Sequence, residues 1–150
     1  WDRSSGDDDP SDDDHRTFFQ LLPTPRIYAQ LPFYNLMNSS DVFAELVLQP
    51  HARVTLRTDY HWLQVPESPD LWYEGAGAPN RDLFGYAGSP ANGERGLAQL
   101  VDLSVTLQIL EQLTLGVYYG HAFGGSVVGE SFAGRDTDYG FVEATWRFQR

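Results

Sequence analysis

The feature that most constrains the fold is a pair of long alternating runs between Leu100 and Phe123. In the first run, apolar side chains occupy every second position from Val101 to Ile109, with polar side chains between them. The second run repeats the pattern from Leu113 to Phe123. Each has about 9–11 residues, which a tilted strand needs to cross a bilayer and which exceeds the ~5–6 typical of soluble sheets. The pair therefore predicts an antiparallel hairpin and favours an outer-membrane barrel.

Three further runs alternate in the same way, at residues 42–49, 54–62 and 139–148. About five strands are too few for closure, because a closed barrel needs at least ~8. An open sheet would leave unpaired edges, which hydrocarbon does not tolerate. We therefore expect an all-β, antiparallel up-and-down transmembrane β-barrel, of which this chain is a C-terminal fragment. Its strands would lie within residues 40–148, after an acidic and proline-rich outer loop at residues 1–39.

The connections between the runs alternate in length. They are short at Pro50 and Glu111, and long before Ser40, after Val65 and after Phe123. Transmembrane barrels have short periplasmic turns and longer outer loops. The alternation therefore predicts which end of the sheet faces the periplasm.

Aromatic residues sort by depth in that orientation. Those expected near the outer rim are Tyr60, Trp62, Tyr119 and Phe123, and those near the inner rim are Trp146 and Phe148. Two aromatic girdles are typical of membrane barrels. The alternative, a soluble antiparallel sheet, explains the alternation of polarity but not this sorting.

The face opposite the apolar one carries charge. Four ionisable side chains on a single strand face would each cost several kcal/mol in hydrocarbon, so this face is expected to line a water-filled lumen. The residues expected on the lumen wall are Arg53, Arg57, Arg147, Asp59, His61, Asp102, Glu143 and Glu45.

Several segments, in this order and spacing, resemble a known family. They are SGDDDPSDDD, FFQLLPTPRIYAQLPFYNL, ARVTLRTDYHWLQV, DLWYEGAGA, LTLGVYYGHAFGGSVV and YGFVEATWRF. Together they are similar to the C-terminal part of alginate-export-type outer-membrane proteins. The resemblance implies a monomeric barrel in outer-membrane lipid, with an arginine-rich lumen that passes an anionic polyuronate. Phe148 resembles the C-terminal signal read by the barrel-assembly machinery, although Gln149 and Arg150 follow it here.

A polyuronate carries a carboxylate on each sugar, and the planar fork of arginine matches carboxylate geometry. We therefore expect Arg53, Arg57 and Arg147 to attract the polysaccharide as it diffuses through. Alternatively, these arginines and the carboxylates on neighbouring strands only neutralise one another and stiffen the wall. Arg81 and Arg95, in the long outer loop, either guide the chain as it leaves or serve solubility. A specific porin for small anionic solutes and a structural or adhesive surface barrel are the other functional hypotheses.

Composition excludes several other classes. A formal net charge of -11 argues against nucleic acid as a partner. The chain has no cysteine, its four histidines show no metal-ligand spacing, and it has no G-x-S-x-G motif. We therefore expect neither an enzyme nor a cofactor, with an outer-membrane hydrolase as the remaining enzymatic alternative.

The first segment of the chain is strongly acidic. Its clustered carboxylates are Asp7, Asp8, Asp9, Asp12, Asp13 and Asp14. Like charges repel, so a solvated loop is the main expectation. A calcium site is the alternative, because oxygen ligands suit hard cations, although the spacing is not that of an EF-hand.

Overall fold

The computed structural model describes residues 1–20, 30–31, 34–75, 88–133 and 135–148. Its regular elements, in chain order, are β1 (Asp2–Arg3), β2 (Ser40–His51), β3 (Val54–Gln64), β4 (Leu71–Tyr73), β5 (Gly88–Pro90), β6 (Gly96–Gln108), β7 (Leu113–Gly124), α1 (Ser126–Ser131) and β8 (Asp136–Trp146). One antiparallel sheet has the order β1-β2-β3-β6-β7-β8, and β4 pairs with β5 in a separate hairpin.

The five predicted runs form the five long strands β2, β3, β6, β7 and β8. From β3 onward, each pairs with the long strand that precedes it along the chain, so the predicted antiparallel up-and-down order is confirmed for this sheet. Among the described residues the sheet stays open, with β1 and β8 at its two edges. None of the helical structure in these ranges is long and apolar enough to cross a bilayer.

The connections hold more structure than the sequence pattern predicts. Helix α1 lies in the segment after Phe123, and the β4–β5 hairpin lies in the long connection after Val65. β1 pairs with the start of β2, so the segment before Ser40 also contributes to the sheet. These elements have two, three or six residues, which is too short for hydrophobic periodicity to reveal them.

One face of the sheet is apolar and exposed. Its large side chains, each at least two-fifths exposed, include Val42, Leu46, Leu48, Tyr60, Trp62, Val101, Leu103, Val117, Tyr119, Phe123, Val142 and Trp146. Leu103, near the middle of this face, is 47% exposed. Monomeric soluble proteins rarely expose an apolar patch of this extent. No second layer covers this face within the described residues, as the outer-membrane interpretation predicts.

The opposite face is covered near the ends of the strands that carry the long connections. Leu63 and Leu100 are fully buried there, in a cluster with Tyr34, Trp72 and Val127 from the connecting segments. The cluster thus packs the connecting segments against this face of the sheet. The other half of that side, toward the short turns, remains more open.

Candidate functional site

The apolar face has a height that fits a membrane. One row of register partners across β3, β6 and β7 consists of Trp62, Gln99 and Phe123. At the other end of β7, a second row pairs Leu113 with Trp146. About ten residues separate the two rows along β7. At ~3.3 Å per residue and a tilt of ~40°, they span about 25 Å along the membrane normal, close to the apolar band of outer-membrane barrels.

Aromatic side chains with hydrogen-bonded polar groups border the apolar face at the strand ends that carry the long connections. The Tyr60 hydroxyl donates to Gln99 Oε1 at 2.9 Å, and the Tyr119 hydroxyl donates to Asp138 Oδ1 at 2.5 Å. His121 Nδ1 lies 2.8 Å from the same Asp138 oxygen. Rings with a polar tip of this kind suit a membrane–water interface.

The opposite face holds the candidate substrate path. On it, Arg57 bridges two strands: its Nε donates to Asp59 Oδ2 at 2.7 Å, and its NH2 group lies 2.9 Å from Glu45 Oε2 on β2. Side-chain exposure is 32% for Arg57 and 43% for Glu45, so this ion pair faces solvent in part. The structure therefore brings the predicted arginine and two predicted carboxylates together.

Two other predicted arginines lie at the end with the short turns. Arg53, expected on the strand face, lies instead in the turn between β2 and β3, and Arg147 follows the end of β8. Both are exposed, and neither has an ion-pair partner among the described residues. β2 continues through the predicted break at Pro50 to His51, so the turn falls at Ala52 and Arg53.

A groove with a volume of about 240 Å³ lies on the same side, across β6, β7 and β8. Ser104, Thr106 and Glu143 line it, as do Tyr118 and Phe141. The rings of Tyr118 and Phe141 are stacked, with centroids 5.2 Å apart. The groove thus combines hydroxyl groups with an aromatic surface.

Toward the other end of the strands, a buried polar network begins at Asp41. Its Oδ2 accepts a hydrogen bond from the Tyr34 hydroxyl at 3.0 Å and lies 2.7 Å from His61 Nδ1. His61 and Asp41 are fully buried. Phe43 stacks on the imidazole ring at a centroid distance of 5.5 Å, which helps to fix its orientation.

Asp59 and Asp102 continue the network. They are register partners on β3 and β6, 5% and 3% exposed, and the Tyr118 hydroxyl donates to Asp102 Oδ2 at 2.9 Å. One ligand atom each from Asp59, His61 and Asp102 lie within 4.8 Å of one another. Sequence spacing alone did not reveal this group, because Asp102 is distant along the chain. The register of β3 against β6 places Asp102 opposite Asp59, and the long connection between the two runs leaves that register unspecified in the sequence.

In the acidic segment, ionic and turn contacts occupy the carboxylates. Arg16 makes ion pairs with Asp8, Asp12 and Asp14. Hydrogen bonds from Ser11 lower the pKa of Asp9. Asp13 is exposed, and the calcium alternative stays a prediction.

Asp7 is the buried member of the acidic segment. Its backbone N–H donates to Asp70 Oδ2 at 3.0 Å, which ties the segment to the long connection that follows β3. Of the two arginines expected in that connection, Arg95 is exposed, and its backbone carbonyl accepts a hydrogen bond from Val65. Arg81 lies outside the described residues.

Comparison with protein-family models identifies a match that covers most of the chain. The model of a family described as alginate export matches residues 1–142. Searches of curated proteins and of solved structures return no match.

Proposed function

The chain belongs to the alginate export family, a family of outer-membrane transport barrels and not of enzymes, and we propose that it forms part of the wall of an outer-membrane channel. The substrate is an anionic polysaccharide, an alginate-like polyuronate, which diffuses through an arginine-lined lumen. The wall is the C-terminal portion of a single monomeric barrel. The barrel-assembly machinery inserts it, and outer-membrane lipid surrounds it.

The observation that carries the proposal is the contrast between the two faces of the sheet. One face is apolar over a height of about 25 Å and bordered by aromatic residues, which suits lipid. The other carries Arg57 and its two carboxylate partners, which hydrocarbon would not accommodate. A wall between lipid and water needs this contrast.

The distribution of charge along the wall supports entry of an anion from the side of the short turns. Arg53 and Arg147 are exposed at that end, and Arg57 lies further along the same wall. In barrels the short turns face the periplasm. A polyuronate in the periplasm would therefore meet Arg53 and Arg147 first, together with the exposed Glu111 of the turn between β6 and β7.

The contacts of Arg57 support the proposal that the polysaccharide binds there reversibly and passes on. Glu45 is 43% exposed and held by one contact to the guanidinium. A passing uronate carboxylate can replace the Glu45 carboxylate at the same guanidinium group and then give it back. Exchange between equivalent oxygen ligands makes binding reversible, as conduction through a selective pore requires.

The adjacent groove supports recognition of a sugar. Ser104 and Thr106 offer hydroxyl groups, and the stacked Tyr118 and Phe141 offer ring surface. Sugar rings present C–H groups on their faces and hydroxyl groups at their edges. The groove offers complements to both.

Single-channel recording of the complete membrane-inserted protein tests the proposal. Oligouronate should block the current in a concentration-dependent manner, and a neutral oligosaccharide of equal length should not. The Arg57→Glu variant should require about 10–100-fold more oligouronate for the same block, because a hydrogen bond between charged groups contributes about 1.5–3 kcal/mol. Arg135→Glu, at an exposed arginine outside the wall, is the matched control and should behave like the wild type.

The other functional hypotheses give different results in the same recording. An anion current that oligouronate does not block would identify a porin for small anionic solutes. Absence of current would identify a structural or adhesive barrel. Either result would contradict the proposal.

A further inference from the structure

We propose that Asp59, His61 and Asp102 form a binding site for one divalent transition-metal ion, with Zn²⁺ as the representative ion. The site lies on the same face of the sheet as Arg57 and next to it, at the end that the connecting segments cover. The inference does not depend on which solute passes through the barrel.

The first support is the convergence of three ligand types from two strands. Asp59 and His61 are two residues apart on β3, so their side chains point to the same face, and Asp102 is the register partner of Asp59 on β6. One ring nitrogen and two carboxylate oxygens come within 4.8 Å of one another. An ion about 2.0–2.2 Å from each atom would fit between them after small side-chain adjustments.

The second support is the hydrogen bonding of the imidazole ring. His61 Nδ1 is 2.7 Å from Asp41 Oδ2, and in the neutral tautomer with its proton on Nδ1 the ring donates a hydrogen bond to this carboxylate. The lone pair is then on Nε2, which is buried and has no hydrogen-bond partner in the described part of the chain. A carboxylate that orients a histidine in this way is the usual outer partner of a metal-bound imidazole. Tyr34 in turn holds that carboxylate at 3.0 Å.

The third support is the charge balance. Asp41, Asp59 and Asp102 are all at least nine-tenths buried, and Asp59 Oδ1 has no hydrogen-bond partner among the described residues. The arginine that contacts the group, Arg57, is shared with Glu45. Buried carboxylates are paired or bind metals. A divalent cation would supply the positive charge that this cluster lacks.

The ligand set indicates the class of ion. Calcium and magnesium take oxygen ligands, whereas an imidazole with two carboxylates suits zinc and its neighbours in the first transition row. With His61 fully buried and the two aspartates at most 5% exposed, the ion would be enclosed. Its effect would be to fasten β3 to β6.

Zinc binding to the complete protein in detergent provides the test. Elemental analysis and calorimetry should find one Zn²⁺ per chain. His61→Gln should weaken binding at least 100-fold, and Asp41→Asn about 10–100-fold, since loss of an outer partner has that effect. His121→Gln is the matched control: His121 also pairs with an aspartate at 2.8 Å, but on the exposed face, so its variant should bind zinc as the wild type does. No zinc binding by the wild type, or undiminished binding by His61→Gln, would overturn the proposal.

A second measurement on the wild type covers the case in which the variants do not fold. Anomalous diffraction at the zinc absorption edge should show a peak between His61 Nε2 and the two carboxylates. A peak elsewhere, or none after soaking with zinc, would refute the site.

Discussion

Asp59 and Asp102 lie directly opposite each other on β3 and β6, and both carboxylates are buried. Like charges in this position destabilise a sheet by up to about 1 kcal/mol, and burial strengthens the repulsion. Without a bound cation, repulsion between the two carboxylates therefore destabilises the pairing of β3 with β6. A cation bound by both carboxylates would remove this repulsion and link the two strands.

The effect of Asp102→Asn on the free energy of unfolding should change sign when metal is added. In chelator, we expect it to be more stable than the wild type by about 1 kcal/mol, because the repulsion is removed while the amide oxygen still accepts from Tyr118. In saturating Zn²⁺ it should be less stable, because a ligand is lost. Urea unfolding in lipid vesicles, with and without chelator, measures both. Glu143→Gln, at an exposed carboxylate on β8, keeps the three ligands, so its stability relative to the wild type should be the same with and without zinc.

Two glycines of β7, on the face opposite the apolar one, should respond differently to substitution by alanine. A Cβ on Gly120 would lie 2.5 Å from the Tyr118 hydroxyl oxygen and 3.3 Å from Leu31 Cδ1, whereas one on Gly116 would lie 3.9 Å from its nearest neighbour. Because Tyr118 is buried and bound to Asp102, we expect Gly120→Ala to destabilise by about 1–3 kcal/mol. Gly116→Ala should be neutral or slightly stabilising. Equal unfolding free energies for the two variants would contradict the packing at Tyr118.

Arginine substitutions at neighbouring positions should report which face meets lipid. Leu103 lies near mid-height on the apolar face, so Leu103→Arg should destabilise the membrane-inserted protein by about 2–4 kcal/mol. Ser104→Arg places the same charge on the opposite face, where Ser104 lines the groove, and should cost much less. The ratio of folded to unfolded protein in urea-containing vesicles compares them. A reversed order would mean that the faces are assigned the wrong way round.

Tyr34 should contribute stability that depends on pH. Burial, reinforced by the nearby Asp41 carboxylate, raises the pKa of Tyr34 above its ordinary value. An acid with a raised pKa in the folded state contributes fully below its unfolded pKa of about 10 and loses that contribution as the pH rises further.

The variant Tyr34→Phe should therefore be less stable than the wild type by about 1 kcal/mol at pH 8, and the difference should shrink above pH ~10. Unfolding free energies at both pH values provide the measurement. Tyr139→Phe, at a ring that packs against Tyr118 and Phe141, is the control. A difference that grows with pH would contradict the burial of the Tyr34 hydroxyl.

The five long strands and their two faces could be predicted from the sequence because alternation is a local property. The run from Val54 to Trp62 specifies which side chains share a face wherever the strand lies. The position of Arg53 could not be predicted in this way. β2 continues to His51, so Arg53 lies in the turn and not on the strand face. A shift of one or two residues at a strand end is enough to remove a side chain from its face.

The buried polar network depended on the tertiary structure. That His61 shares a face with Asp59 follows from spacing, but its contact with Asp41 and its burial beneath Tyr34 depend on strand register and on how the connecting segments pack. The sequence by itself determined that these side chains avoid lipid. Only the fold decided that they would avoid water as well, because burial is a property of what covers a surface and not of the strand that forms it.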